Sequence, residues 1–237
     1  MSVVPALLAI ETAGSACSAA LVRGDTVVAA ERRALRHGHA EVLLPVIDRV
    51  MAEAGLAAGD LDVVAAAVGP GGFTGIRVGL AAAYGIALAA RAMTIGVSSF
   101  EAVAAIVAGA ACGDDRVLLV ALDSRRDDLY VQLFAPGSSA PLAAAQSLSP
   151  ADLADRVAAI TGRVPLRVAG DAATVAAQAL AQSGMAAALI DASPDACGVA
   201  AAALGRLRRG EPAVALRPFY LRAPDVSSPR KPDAGFR

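Results

Sequence analysis

Val63-Val64-Ala65-Ala66-Ala67-Val68-Gly69-Pro70-Gly71-Gly72-Phe73-Thr74-Gly75-Ile76-Arg77-Val78-Gly79 is the stretch whose reading decides the fold. The apolar residues before Gly69 read as a buried strand, and the run from Ile76 to Ala90 is long enough to favour a helix. A glycine-rich turn between strand and helix serves one of three ends. It makes a tight corner, it offers backbone N–H groups to an anion at a helix N-terminus, or it meets a partner. The common phosphate motifs do not fit. Walker A ends in Gly-Lys-Ser/Thr, and the dinucleotide fingerprint needs a glycine where Thr74 stands.

Toward the N-terminus, Ala6–Glu11 reads as a strand followed by the polar turn Thr12-Ala13-Gly14-Ser15. Cys17–Val22 and Thr26–Arg33 read as two more strands, joined by the hairpin signal Arg23-Gly24-Asp25. After Arg36-His37-Gly38-His39-Ala40-Glu41 a helical segment runs to Ala54. Leu43, Ile47, Val50 and Ala54 share one face of it, and Val42, Val46 and Met51 widen the stripe. Pro45 predicts a kink or a late start there. Toward the C-terminus come a strand at Thr94–Val97 and a helix at Ser99–Ala108, with Ser98 or Ser99 as N-cap and Glu101 in the first turn.

Cys112-Gly113-Asp114-Asp115-Arg116 is a charged break that reads as a domain boundary. The order of elements then restarts. Val117–Leu122 ends at Asp123, the turn Ser124-Arg125-Arg126-Asp127-Asp128 follows, and Leu129–Phe134 returns. A weaker strand is expected around Leu142–Leu148, then a helix opened by Ser149-Pro150. Leu166–Val168, a helix after Gly170-Asp171, a strand at Leu189-Ile190 and a helix from Pro194 to Arg208 complete it. Each half reads as three strands, helix, strand, helix, with further elements in the second, so the chain carries an internal structural repeat.

The chain has 237 residues, 56% of them hydrophobic but only 3% aromatic, with no Trp. That suits close packing of helices on sheets through small side chains. The formal net charge is -1, and without a basic block the chain is not expected to grip a polyanion alone. Cys17, Cys112 and Cys197 lie far apart without a C-x-x-C, which argues against a disulfide framework or zinc site and fits a reducing cytoplasm. The apolar start from Val3 meets Glu11 early and reads as a strand rather than a signal peptide. No uncharged apolar run reaches the roughly 20 residues of a membrane span.

Glu11 at a strand end, with Thr12 and Ser15 beyond it, reads either as an ordinary acidic strand end or as a grip for phosphates or a Mg²⁺-bound water. Asp123 and Ser124 repeat the pattern in the second half. Two such turns across a cleft would be the phosphate grip of an actin-like ATPase. His37 and His39 lack a third ligand at suitable spacing, so a metal site is not expected. No Gly-x-Ser-x-Gly occurs, and no Cys stands next to a His, so a hydrolase or peptidase is not expected either. The Ile76–Ala90 helix is apolar on nearly every face after Arg77, with Gly79, Ala83 and Ala87 as a small-residue row. Either it and the Val42–Ala54 helix bury one another in a single core, or together they make a surface that a second chain completes.

These residues resemble the bacterial TsaB (YeaZ) family, which serves threonylcarbamoyladenosine formation at position 37 of tRNAs reading ANN codons. The resemblance rests on Leu8-Ala9-Ile10-Glu11-Thr12-Ala13, Cys17-Ser18-Ala19-Ala20-Leu21, His39-Ala40-Glu41 through Leu44-Pro45, and above all Gly69–Gly79. Ile95-Gly96-Val97-Ser98-Ser99, Asp123-Ser124-Arg125 with Tyr130, and Pro218-Phe219-Tyr220-Leu221-Arg222 extend it. It implies a two-lobed actin-like (ASKHA, ribonuclease H-like) α/β fold. The expected division is a first lobe at 1–110, a second at 111–222 whose last helix can return to the first, and a flexible tail at 223–237.

It also implies a cytoplasmic, non-catalytic partner of a TsaD-like transferase, joined by a TsaE-like ATPase and meeting tRNA only within the complex. The helices at about His39–Ala54 and Ile76–Ala90 would form the pairing surface, also usable for a homodimer. The interface residues expected are His39, Val42, Leu43, Val46, Ile47, Val50, Ile76, Gly79, Leu80, Ala83 and Ala87. A charge at Ala83 is expected to abolish pairing and spare the fold. Glu11, Thr12, Gly71, Gly72, Thr74 and Asp123 are expected as a vestigial phosphate site. No cofactor is required by this chain, and ATP or ADP would sit at the partner interface. Three departures favour a degenerate site: Glu11 replaces the family's Asp, Gly170-Asp171 replaces a glycine pair, and His39 has no second member of the catalytic relative's metal pair. The alternative is a stand-alone actin-like ATPase or phosphotransferase.

Overall fold

The computed structural model describes residues 5–35, 37–110, 114–212 and 214–222. Val3, Arg36, Cys112 and Gly113, and the expected tail 223–237, lie outside the described residues. The first half runs β1 (Ala6–Glu11), β2 (Ala16–Arg23), β3 (Thr26–Ala34), α1 (His39–Ala54), β4 (Val63–Gly69), α2 (Phe73–Ala90), β5 (Met93–Ser98) and α3 (Ser99–Ala110). The second runs β6 (Val117–Asp123), β7 (Leu129–Phe134), β8 (Gln146–Leu148), α4 (Pro150–Thr161), β9 (Leu166–Ala169), α5 (Ala173–Gln182), β10 (Ala187–Leu189) and α6 (Ala196–Arg208). The strands and α-helices of the two halves match one for one, and among the described residues the second carries no further strand or α-helix.

The sheets match too, in the orders β3-β2-β1-β4-β5 and β8-β7-β6-β9-β10. In each, the first three strands form an antiparallel meander and the last two add in parallel beside the first. This is the two-lobed actin-like α/β fold. The last helix of each half crosses over. Phe100, Val103 and Val107 of α3 pack on Leu118, Val120 and Phe134 of the second sheet. Val199, Ala200 and Ala203 of α6 join the core of the first. Gly198 permits the contact, since a Cβ there would press on Ala102 and Ile106 of α3.

Local signals explain several helix starts. Ser98 and Glu101 form a reciprocal box, with the Ser98 N–H donating to Glu101 Oε2 at 2.9 Å and the Glu101 N–H to Ser98 Oγ at 3.1 Å. Ser149 Oγ accepts from the Asp152 N–H at 3.2 Å, with Pro150 opening α4. Helix α1 begins at His39 and passes through Pro45. Pro45 is exposed, so the carbonyl it leaves unbonded meets water, and the late-start reading falls. The expected strand at Leu142–Leu148 shortens to Gln146–Leu148, and Leu142 is exposed.

Helix α2 starts at Phe73, three residues before the sequence signal, capped by the backbone of Gly72 without a side-chain hydrogen bond. Thr74 lies inside its first turn. Among the described residues α2 alone is long and apolar enough to cross a membrane by length and composition. Its buried row of Gly75, Ile76, Gly79, Leu80, Ala83 and Ala87 belongs to the first lobe's core.

Candidate functional site

Glu11 ends β1 with its side chain wholly buried. It curls over the turn that follows, and Oε1 accepts from the N–H of Ala13 at 2.7 Å and of Gly14 at 2.9 Å. Two adjacent N–H groups of this kind are what such a turn would offer a phosphate. Burial pushes the carboxyl up to about 8, against the pull of those N–H groups, and Asp171 and Asp195 add to the rise. At neutral pH Glu11 is therefore a neutral acid whose Oε1 fills the turn, while Oε2 has no hydrogen-bond partner.

The glycine-rich loop closes on the same turn. The Gly72 N–H donates to the Ala13 carbonyl at 2.7 Å, and Thr12 Oγ1 donates to the Gly75 carbonyl at 2.8 Å. A Cβ at Gly71 would overlap the Ala13 carbonyl, at Gly75 the Thr12 carbonyl, and at Gly79 the Thr12 hydroxyl. Gly71 also holds φ at 158°, near-extended backbone, so space rather than conformation demands glycine there. The loop's missing side chains seat a helix on a turn.

In the second lobe Asp123 is half-buried, and its Oδ1 accepts from the Arg125 N–H at 2.7 Å. The Asp123 N–H donates in turn to Asp171 Oδ1 at 2.9 Å. Ser124 turns inward and donates to Asp128 Oδ1 at 2.9 Å. The two turns do face one cleft. A hollow of about 480 Å³ is lined by Ser15, His37, Asp123, Arg125 and Asp171. A neighbouring one of about 520 Å³ is lined by Thr12, His39, Gly72, Thr74 and Arg125 among others. The Arg125 guanidinium reaches the Gly14 carbonyl at 3.4 Å. Thr12, Gly72 and Thr74 line one hollow and Asp123 the other, whereas Glu11 and Gly71 line neither, and the N–H groups of Ala13, Gly14 and Arg125 are met by the chain's own carboxyls.

His39 opens α1 beside this cleft. Burial holds its pKa below the ordinary histidine value, with Arg125 and His37 lowering it further against a hydrogen bond to the Ala16 backbone. Its Nε2 is buried without a partner. Among the described residues no three His, Cys, Asp or Glu side chains are grouped to hold a metal ion.

The expected pairing surface needs a correction. Leu43, Val46, Ile47, Val50, Ile76, Gly79, Leu80, Ala83 and Ala87 are buried in this chain's own core, and only His39 and Val42 are half-exposed. The stripe faces the sheet because close packing on strands selects the small row and the aliphatic ridge alike. Ala83 is wholly buried, so a charge there would unfold the lobe rather than test a surface. The outward side of α2 carries Phe73 (41% exposed), Arg77, Ala81, Tyr84 (48%) and Leu88 (83%). Leu44 of α1 is 53% exposed and joins Met51 and Ile86 in a groove of about 380 Å³ between the helices. The signal that marks this face is the spacing of bulky residues at 73, 84 and 88 opposite the small row.

With this geometry in place, comparison with known proteins is informative. The model of the TsaD family, tRNA N6-adenosine threonylcarbamoyltransferase, matches residues 32–154. The tRNA threonylcarbamoyladenosine biosynthesis protein TsaB of Escherichia coli K12 is 38% identical over 124 residues, 52% of this chain and 52% of that protein. The chain spans about half the length of the curated relatives it matches. The solved structure of YeaZ from Pseudomonas aeruginosa superposes with a TM-score of 0.77 at 26% identity, covering 92% of this chain and 100% of that one. An inorganic polyphosphate/ATP-glucomannokinase from Arthrobacter sp. strain KM superposes at 0.52 with 14% identity, over 86% of this chain and 99% of that one, a likeness of fold alone.

Proposed function

We propose, from the premise that this chain belongs to the TsaB (YeaZ) family, that it is a non-catalytic subunit in threonylcarbamoyladenosine modification of tRNA. In this reading it pairs with and activates a TsaD-like transferase through the outward side of α1 and α2. The observation that carries the reading is the apolar side of α2 that this chain leaves uncovered, with Leu88 at 83% exposure and Tyr84 at 48%. A helix apolar on both sides needs cover on both. The carboxyl-filled turn supports the non-catalytic half, because the Ala13 and Gly14 N–H groups bonded to Glu11 are not open to a nucleotide phosphate.

A TsaE-like ATPase joins the pair, and tRNA is met only within the assembly. The same face can bind a second copy of this chain when the partner is absent. Any ATP or ADP belongs to the boundary with the partner rather than to the Glu11 turn.

Leu88→Asp tests the face, since Leu88 packs little within its own chain. Its charge would have to be desolvated at a helix–helix contact, at a cost of several kcal/mol. The expected outcome is loss of co-purification with a TsaD-like transferase, with circular dichroism and Tm unchanged. Pairing that survives Leu88→Asp and Leu44→Asp together would sink the assignment. Calorimetric titration with Mg·ATP tests the stand-alone ATPase alternative: micromolar binding with turnover by the isolated chain would favour it.

A further inference from the structure

Residues 214–222, which include Pro218-Phe219-Tyr220-Leu221-Arg222, have no role in the function proposed above, yet they touch both lobes. The Val214 carbonyl accepts from the Gly96 N–H of β5 at 2.7 Å, and the Leu216 carbonyl from the Tyr84 hydroxyl of α2 at 3.0 Å. The Phe219 N–H donates to the Val68 carbonyl of β4 at 2.7 Å. Two glycines make room for this backbone. A Cβ at Gly96 would stand 2.7 Å from the Ala215 carbonyl oxygen, and one at Gly69 3.0 Å from that of Phe219.

Tyr220 then reaches the first turn of α2. Its ring stacks on Phe73 with centroids 5.6 Å apart, and its hydroxyl meets Arg77 Nε at 3.3 Å. The Arg77 guanidinium lies 3.7 Å from the Phe73 ring centroid. Leu221 packs into the second lobe's core, and Arg222 pairs with Asp128 Oδ2 at 3.3 Å. Asp128 is itself held by the hydroxyls of Ser124 and Ser147. Ser124 follows Asp123 in the turn that lines the cleft.

We propose that residues 214–222 are an inter-lobe strap that positions the first turn of α2 from the second lobe. Arg222 is its anchor in the second lobe and Tyr220 its clamp on Phe73 and Arg77. Its importance for partner binding rests on the face reading given above, whereas the mechanical link does not. A chain of contacts becomes a coupling only when a change at one end is felt at the other. The ion pair of Arg222 is with Asp128 in the second lobe, so its removal probes α2 from the far end of the segment.

Amide hydrogen exchange of residues 73–84 in Arg222→Ala, measured on the full chain, decides the question. Exchange is expected to quicken roughly fivefold there. Asp128→Asn should do the same, and Arg222→Ala combined with Tyr220→Ala should add little to either alone. Affinity for the TsaD-like transferase should fall by a similar factor in Arg222→Ala. Unchanged exchange in α2, or fully additive effects of the two substitutions, would overturn the strap. Leu88→Asp combined with Leu44→Asp separates the two readings. If the pair leaves partner binding intact while Arg222→Ala still loosens α2, the face assignment fails and the strap stands.

Discussion

The β1–β2 turn of the first lobe and the β6–β7 turn of the second occupy equivalent places in a duplicated fold, and each is filled by a carboxyl from the strand before it. They differ in depth. Glu11 is wholly buried and reaches back over Ala13 and Gly14, beneath the glycine loop that opens α2. Asp123 is half-buried beside the cleft, accepts from the Arg125 N–H and pairs with the Arg125 guanidinium at 3.7 Å. The extra methylene lets the first carboxyl reach both donors, and the seat of α2 on Thr12 and Ala13 then shuts water out. Depth makes the first turn a structural joint and leaves the second beside an open surface.

The largest expected break in that comparison comes from Glu11→Ala. It strands two N–H groups in the turn and should cost about 3 kcal/mol, whereas Asp123→Ala should cost less than about 1 kcal/mol, because water replaces the lost acceptor. Urea unfolding of both variants measures the gap, and equal costs would erase the distinction between the turns.

The second test is pH. The unfolded Glu11 carboxyl ionises near 4.5, whereas the folded one keeps its proton up to about 8. Between those values the native state binds the extra proton. Its stabilising share is thus full below the lower value and lost as pH rises through the higher. Tm should fall across this window in the parent chain and lose that slope in Glu11→Gln. A slope that persists in Glu11→Gln would assign it to other groups.

The smallest effect belongs to Thr12→Val, which removes the hydroxyl bonded to the Gly75 carbonyl. About 1 kcal/mol is expected, and a null result would mean that the glycines alone seat α2.

Several features needed only neighbouring residues and were legible in the chain. Ser149-Pro150 marked a helix start because cap and first-position chemistry are local, and the Ser98–Glu101 box has the same origin. The strand before Gly69 and the helix after it followed from apolar run lengths. The repeat of a carboxyl-ended strand and polar turn at Glu11 and Asp123 pointed to two lobes.

Tertiary structure decided what depends on distant partners. An almost uniformly apolar helix such as α2 has little periodic contrast, so its sequence does not say which side meets the sheet. That choice fell to Gly75, Gly79 and Ala83, whose smallness matters only once Thr12 and β4 are opposite them. The burial of Glu11 was equally hidden, because an acidic residue at a strand end looks the same under solvent or under a helix. The sequence determined the elements, their duplicated order and the family. Packing determined that the opening glycine loop seats α2, since Gly71, Gly75 and Gly79 meet Thr12 and Ala13 only once segments distant in the chain approach one another.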